Sequence, residues 1–195
     1  MVKLFLIRHG ESIPSENDAV LSEKGVKQAK LLAQKLSSIN ISRVYVSDYK
    51  RALQTYEEYR LIKPNIPCSV TGKLREIYRV IIGGPERQGT DPEREKNDRK
   101  RADEIFQEIL GDAKKDDAIA LFIHGNIIKY FISKILGSPK ANLWEDLTIN
   151  DASISLIEVS EKGKMVKLIN NIEHLESADI ARFYNSPSER INYIS

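Results

Sequence analysis

The sequence predicts an α/β protein organised around strands buried on both faces of an open sheet. Two apolar runs carry that expectation: Val2-Lys3-Leu4-Phe5-Leu6-Ile7 near the start and Ala118-Ile119-Ala120-Leu121-Phe122-Ile123 beyond the middle. Apart from Lys3 both are wholly apolar, which suits strands covered on each side and not strands with one wet face. Each run also stops at a histidine followed by a glycine, in Arg8-His9-Gly10 and in His124-Gly125. Open α/β sheets bind their ligands at the carboxyl ends of such strands. Gly10 there lets the backbone turn tightly and come close to a ligand.

After the first turn, Ser22 reads as the N-cap of a helix over about 23–37, with Val26, Ala29, Leu32, Ala33 and Leu36 on one face. Arg43-Val44-Tyr45-Val46 reads as a short buried strand. Ser47 or Asp48 is expected to cap the next helix, which carries Ala52, Leu53, Tyr56 and Tyr59 towards the core. Pro64 and Pro67 break that pattern, and 66–70 reads as a short strand leading to Leu74-Arg75-Glu76.

A charge-rich stretch then opens at Gly83-Gly84-Pro85, and 77–91 reads as an insertion and mobile loop. Asp91-Pro92 starts a helix of about 92–110, with apolar spacing at Ile105, Phe106, Ile109 and Leu110. The helix after His124-Gly125-Asn126 carries Ile127, Ile128, Tyr130, Phe131 and Ile135, and ends at Gly137 with Pro139 beyond. Its N-terminus offers free N–H groups and a positive dipole end beside His124, which suits an anion. Residues 153–159 and 165–169 read as a hairpin across Glu161-Lys162-Gly163-Lys164, and a short helix is expected around 176–184.

The 195 residues fit one domain, 1–195, with a charged cap insertion at about 77–110. A net charge of +2 with 30% charged residues mixes both signs and gives no support for a nucleic-acid partner. The single Cys68 excludes an internal disulfide framework and reads as a small buried filler. The N-terminus lacks the pattern of a signal peptide, and no apolar run approaches the ~18 residues of a membrane span. The expectation is a soluble, cytoplasmic protein with no membrane association. Trp144 and the tyrosines read as core, and His174 as a surface residue.

Five blocks in order carry a resemblance. They are Arg8-His9-Gly10-Glu11-Ser12; Leu21-Ser22-Glu23-Lys24-Gly25 with Gln28-Ala29; Ser47-Asp48-Tyr49-Lys50-Arg51-Ala52 with Thr55; Leu74-Arg75-Glu76; and His124-Gly125-Asn126 with 150–154. On these the chain resembles the histidine phosphatase superfamily, the phosphoglycerate-mutase-like fold, and the phosphatase members more than the cofactor-dependent mutases. The resemblance implies a three-layer α/β/α architecture with a mostly parallel central sheet and a small helical insertion over the active site.

It also implies roles that chemistry supports. His9 would be the nucleophile that accepts a phosphoryl group, neutral at the attacking nitrogen, with its other ring N–H held by a backbone carbonyl. Arg8 and Arg51 would bind phosphate oxygens through planar forks, and His124, cationic while phosphate is bound, would add a donor. With fixed cations in place neither metal nor other cofactor is expected. Glu76 is the candidate general acid, with a pKa raised by burial. Glu11 has a weaker claim to a direct role.

Two departures from the family pattern stand out. Ile77-Tyr78-Arg79 lacks the glycine and aromatic residue that many relatives carry after the glutamate. Ser15 occupies the place where many mutase-type relatives have an asparagine, with Asn17 two residues on, and the resemblance makes either of them, Ser15 first, a candidate contact for phosphate. Asn126 either binds phosphate or caps its helix.

The insertion between Glu76 and His124 is short by the standard of the mutases and carries Arg/Lys at 87, 94, 96, 99, 100 and 101 among acidic neighbours. A small, charged, open cap admits water, so the expected reaction is metal-independent hydrolysis of phosphomonoesters through a phosphohistidine. The alternatives are a cofactor-dependent phosphoglycerate mutase and a weakly active phosphate-binding interaction module. The substrate would be a phosphorylated small molecule or phosphoprotein, and a homodimer is left open.

Overall fold

In the computed structural model, described for residues 1–16, 18–77, 91–137 and 147–179, the two apolar runs lie side by side at the centre of a six-stranded sheet. Strand β1 (Val2–Arg8) is followed by the short β2 (Ser12–Ile13) and β3 (Val20–Leu21), then by helix α1 (Glu23–Ser37). Next come β4 (Arg43–Ser47), α2 (Lys50–Ile62) and β5 (Cys68–Thr71), a 3-10 turn at Gly72–Leu74, and α3 (Pro92–Asp112). Strand β6 (Ala118–Ile123), α4 (Gly125–Ile135) and the hairpin of β7 (Ile154–Ser160) and β8 (Gly163–Asn171) complete the order. The sheet runs β5-β4-β6-β1-β7-β8. Strands β5, β4, β6 and β1 are mutually parallel, and β7 and β8 add antiparallel pairings at one side. The mostly parallel three-layer architecture is therefore as expected.

Side-chain alternation explains why both central strands are apolar throughout. Leu4 and Leu6 of β1, with Ile119, Leu121 and Ile123 of β6, join a core with α3 and α4 residues Ile105, Ile109, Ile127 and Phe131. Phe5 and Ile7, with Ala120 and Phe122, join a second core with Leu32, Leu36, Tyr56 and Tyr59 of α1 and α2. A strand clasped this way has no face left for polar residues.

Helix α1 begins where its cap predicts, with Ser22 Oγ accepting the Gly25 N–H at 3.0 Å. Asp91 caps α3 in the same way, taking the Arg94 N–H at 3.0 Å. Helix α3 runs two residues beyond the expected 110, and β5 is shifted to Cys68–Thr71 from the expected 66–70. The hairpin turn is tighter than expected, because Gly163 (φ +127°) already lies in β8.

Three expectations need correction. Neither Ser47 nor Asp48 caps α2: the N-cap is Tyr49, without a side-chain cap bond, and the first helical N–H, of Lys50, is taken by Asp18 Oδ2 at 2.5 Å. A carboxylate delivered from the loop before β3 has replaced the local cap. Cys68 is exposed on the edge strand and is not a buried filler. His174 is half-buried, with Nε2 3.0 Å from the Ala152 carbonyl oxygen, and is not a bare surface residue. The expected loop at 77–91, Trp144 and most of the 176–184 helix fall largely outside the described residues, although Ser177–Asp179 forms a 3-10 turn. Among the described residues no helix is long and apolar enough to cross a membrane.

Candidate active site

The carboxyl ends of β1 and β6 bring His9 and His124 together, with ring centroids 5.1 Å apart at an edge-on angle of 62°. Backbone pairing fixes where His9 sits. Its N–H donates to the Ile123 carbonyl at 3.1 Å, and its own carbonyl accepts the Ala152 N–H at 3.0 Å. The next residue, Gly10, donates its N–H to Thr55 Oγ1 at 3.1 Å. A Cβ on Gly10 would lie 2.5 Å from the Gly25 carbonyl oxygen, so the turn must lack a side chain to pass the start of α1.

Two partners define the state of the His9 ring. Nδ1 lies 2.7 Å from the Gly10 carbonyl oxygen, which only accepts, so Nδ1 carries the proton. Nε2 lies 3.0 Å from Arg51 Nε, which only donates, so Nε2 presents its lone pair. Burial, then the charges of Arg8 and Arg51, push the imidazole down to about 3, against a single opposing hydrogen bond to Gly10. His9 is thus a neutral imidazole with an available nitrogen.

Arg8, the last residue of β1, lies close enough to His9 for its charge to lower the imidazole pKa. Its Nη1 donates to the Ile149 carbonyl, Nη2 pairs with Asp151 Oδ1 at 2.7 Å, and the side chain lies against Gly125. The Arg8 Nε is buried without a hydrogen-bond partner among the described residues. Arg51, from the first turn of α2, is held by Asp18 at 3.3 Å and lies over the Tyr49 ring, 4.8 Å from its centroid. Each site arginine therefore carries an aspartate.

His124 is fully buried, with Nε2 2.8 Å from Ser47 Oγ and the Tyr49 ring 5.3 Å away. Its Nδ1 has no partner among the described residues. Burial, followed by His9, Arg51, Arg8 and Arg101, holds its pKa well below the ordinary value, so it too is neutral in the free site.

Glu76 supplies the anion that the N-terminus of α4 was expected to attract. Its Oε2 accepts the Asn126 N–H at 3.2 Å and its Oε1 accepts the Ile127 N–H at 3.1 Å, as the exposed amides of a helix start require. Burial raises the carboxyl pKa, while the amides of Asn126, Ile127 and Ile77 and the charge of Arg8 pull it back; the net direction is upward. A buried carboxyl of this kind can hold a proton at a pH where an exposed one has lost it.

The structure thus brings together Arg8, His9, Arg51, Glu76 and His124. Ser15 is not drawn into the cluster: it is exposed, and its hydroxyl donates to the Asp18 carbonyl in its own loop. Asn17 lies outside the described residues. Asn126 does not cap α4, because His124 holds the N-cap; its side-chain amide instead donates to the Ile77 carbonyl at 3.3 Å. Glu11 is tied to Ser22 Oγ at 2.7 Å and Lys24 at 3.6 Å, where it braces the start of α1. Sequence reasoning missed Asp18, Asp151 and Tyr49 as site residues. Tyr49 and Asp151 lie inside recognised blocks, at 47–52 and 150–154, whereas Asp18 carries no signal of its own. Among the described residues no group of three or more His, Cys, Asp or Glu side chains is arranged to hold a metal ion.

A helix-flanked parallel sheet with two strand-end histidines between arginines defines a class of α/β proteins with an anion-directed site. The chain belongs to the histidine phosphatase superfamily (branch 1), which residues 4–172 match. It is similar to a probable phosphatase of Schizosaccharomyces pombe, 27% identical over 209 residues, spanning 93% of this chain and 99% of the relative. It is also similar to a probable phosphoglycerate mutase GpmB of Erwinia tasmaniensis, 26% identical, spanning 90% of this chain and 96% of the relative. Its fold is shared with YhfR of Bacillus stearothermophilus, at a TM-score of 0.75 and 23% identity, over 90% of this chain and 100% of that one.

Proposed function

We propose that the protein is a phosphoric monoester hydrolase that works through a phosphohistidine on His9, without a metal or organic cofactor. The observation that carries this reading is the ring state of His9, with Nδ1–H on the Gly10 carbonyl and the Nε2 lone pair facing Arg51. The similarity to a probable phosphatase across nearly the full length of both chains supports hydrolysis as the outcome.

In the first step the Nε2 lone pair forms a bond to phosphorus while the bond to the ester oxygen breaks. The protonated Glu76 carboxyl gives its proton to that leaving oxygen. Arg8, Arg51 and His124 take the three equatorial oxygens, where charge is spread in the transition state. Arg8 Nε and His124 Nδ1, both buried without partners among the described residues, are suited to this task. In the second step the Glu76 carboxylate takes a proton from water, the water oxygen bonds to phosphorus, and the P–N bond breaks. Phosphate leaves, and His9 and Glu76 return to their starting states. Fixed guanidinium groups supply the positive charge that a metal supplies elsewhere.

The test is hydrolysis of p-nitrophenyl phosphate in excess EDTA by wild type and His9→Ala. Wild type is expected to retain full activity and His9→Ala to lose it. A strict metal requirement, activity in the variant, or turnover seen only as 2,3-bisphosphoglycerate-primed isomerisation of phosphoglycerate would overturn the reading.

A further inference from the structure

Helix α3 is amphipathic over only part of its length. Its buried residues, Ala102, Ile105, Phe106 and Ile109, begin after the first ten positions, and the preceding turns are largely exposed. Arg101 stands at that transition, and its guanidinium faces the backbone between β5 and Glu76. Nη1 donates to the carbonyls of Lys73 at 2.9 Å, Arg75 at 3.0 Å and Gly72 at 3.4 Å. Nη2 donates to the Glu76 carbonyl at 3.3 Å and to Asp98 Oδ1 at 2.7 Å, one turn earlier on the same helix. Residues 72–76 form a 3-10 turn and an irregular segment, so their carbonyls lack the partners of a sheet or α-helix. A planar fork with several N–H groups satisfies many of them at once, which a lysine ammonium cannot match in geometry.

Glu76 is consequently gripped from two directions. Helix α4 holds its carboxylate through two backbone amides and holds the next residue through Asn126 Nδ2. Helix α3 holds its main chain through Arg101. Both grips bear on where the Glu76 carboxyl sits, and only the second belongs to the inserted helix.

We propose that Arg101 is a positioning residue that couples the inserted helix α3 to Glu76, so that the seating of α3 sets the placement of the proton donor. The inference rests on the reading of Glu76 as general acid. It gives the insertion a part in proton transfer. Asp98 completes the device by pairing with Arg101 Nη2 at 2.7 Å.

The leaving group supplies the test, because a poor leaving oxygen needs a proton and a good one does not. The quantity is kcat/KM for phenyl phosphate and for 2,4-dinitrophenyl phosphate, measured in Arg101→Met, Arg101→Lys, Asp98→Asn, Glu76→Gln and the double variant Glu76→Gln/Arg101→Met. Glu76→Gln should slow phenyl phosphate by about 10²-fold or more and leave the dinitrophenyl ester within about tenfold of wild type. Arg101→Met should show the same bias at about tenfold, Arg101→Lys and Asp98→Asn a smaller one, and Arg101→Met should add little in the Glu76→Gln background. Equal losses on both esters, or an undiminished Arg101 effect without Glu76, would make Arg101 a structural clip and overturn the proposal. Glu76→Gln without leaving-group bias would instead remove the general acid itself, and the coupling with it. Should Arg101→Met fail to fold, the bias in Arg101→Lys and Asp98→Asn decides the matter by the same criterion.

Discussion

Arg51 Nε sits 3.0 Å from His9 Nε2, on the lone pair that would attack phosphorus. In the free site the guanidinium therefore occupies the line of approach, and Asp18 anchors its other side at 3.3 Å. The contact keeps His9 in the correct tautomer, and a phosphate oxygen must take Arg51 over before His9 can react.

Arg51 should consequently matter twice, in preparing the nucleophile and in binding the phosphoryl group. Arg51→Ala is expected to lower kcat/KM for phosphomonoesters by about 10²- to 10³-fold, the scale of losing a preorganised donor. Arg51→Lys should recover little, because an ammonium cannot reproduce the fork. Steady-state kinetics with p-nitrophenyl phosphate check this, and near-wild-type activity in Arg51→Lys would refute it.

Glu76 predicts a pH effect of known sign. As an acid it works only when protonated, and burial raises its pKa. With phenyl phosphate, kcat/KM should therefore fall as pH rises through that raised value, above the range of an exposed carboxyl. A pH–rate profile of Glu76→Gln should lack this falling limb. Its persistence would assign the limb to another group.

Acid should also unfold the protein in a predictable window. His9 takes up a proton near 6.5 when unfolded but only at about 3 when folded, so in between the unfolded chain binds more protons. Its contribution to stability is full above pH 6.5 and is lost on acidification, by up to about 1.4 kcal/mol per pH unit. His124 shifts in the same direction, while the raised Glu76 acts oppositely above its ordinary value. Denaturant titrations between pH 4 and pH 7, values chosen to lie inside this window, should show a shallower acid limb in His9→Asn than in wild type. Identical limbs would contradict the buried, neutral state of His9.

Tyr59 offers a test of packing away from the chemistry. It is fully buried on α2, and its hydroxyl has no hydrogen-bond partner among the described residues. Removing an unsatisfied buried hydroxyl should be neutral or stabilising, so Tyr59→Phe is expected to leave stability unchanged or raise it by about 1 kcal/mol. A clear drop in thermal midpoint would mean that the hydroxyl is bonded.

The parts of the molecule legible in its sequence are those fixed by local chemistry. The cap at Ser22, the Asp91-Pro92 helix start and the apolar runs of β1 and β6 announce themselves within a few residues. The histidines and Arg51 were legible because their neighbours form recognisable blocks. Asp18 was not, because its partners Lys50 and Arg51 lie more than thirty residues away and meet it only once β3 packs beside α2. The same limit hid the service that Glu76 renders to α4: a helix start advertises an anion site without saying which anion fills it. Cys68 misled for a related reason, since β5 looks like other strands until its place at the sheet edge is known.

The central claim is that His9 carries the phosphoryl group. Rapid acid-free quenching of wild type with a phosphomonoester, followed by peptide mass spectrometry, tests it most directly. A single phosphoryl group on His9, stable in base, labile in acid and lost in His9→Ala, is the predicted result. Turnover with no covalent intermediate, or a phosphoryl group on any other residue, would contradict it.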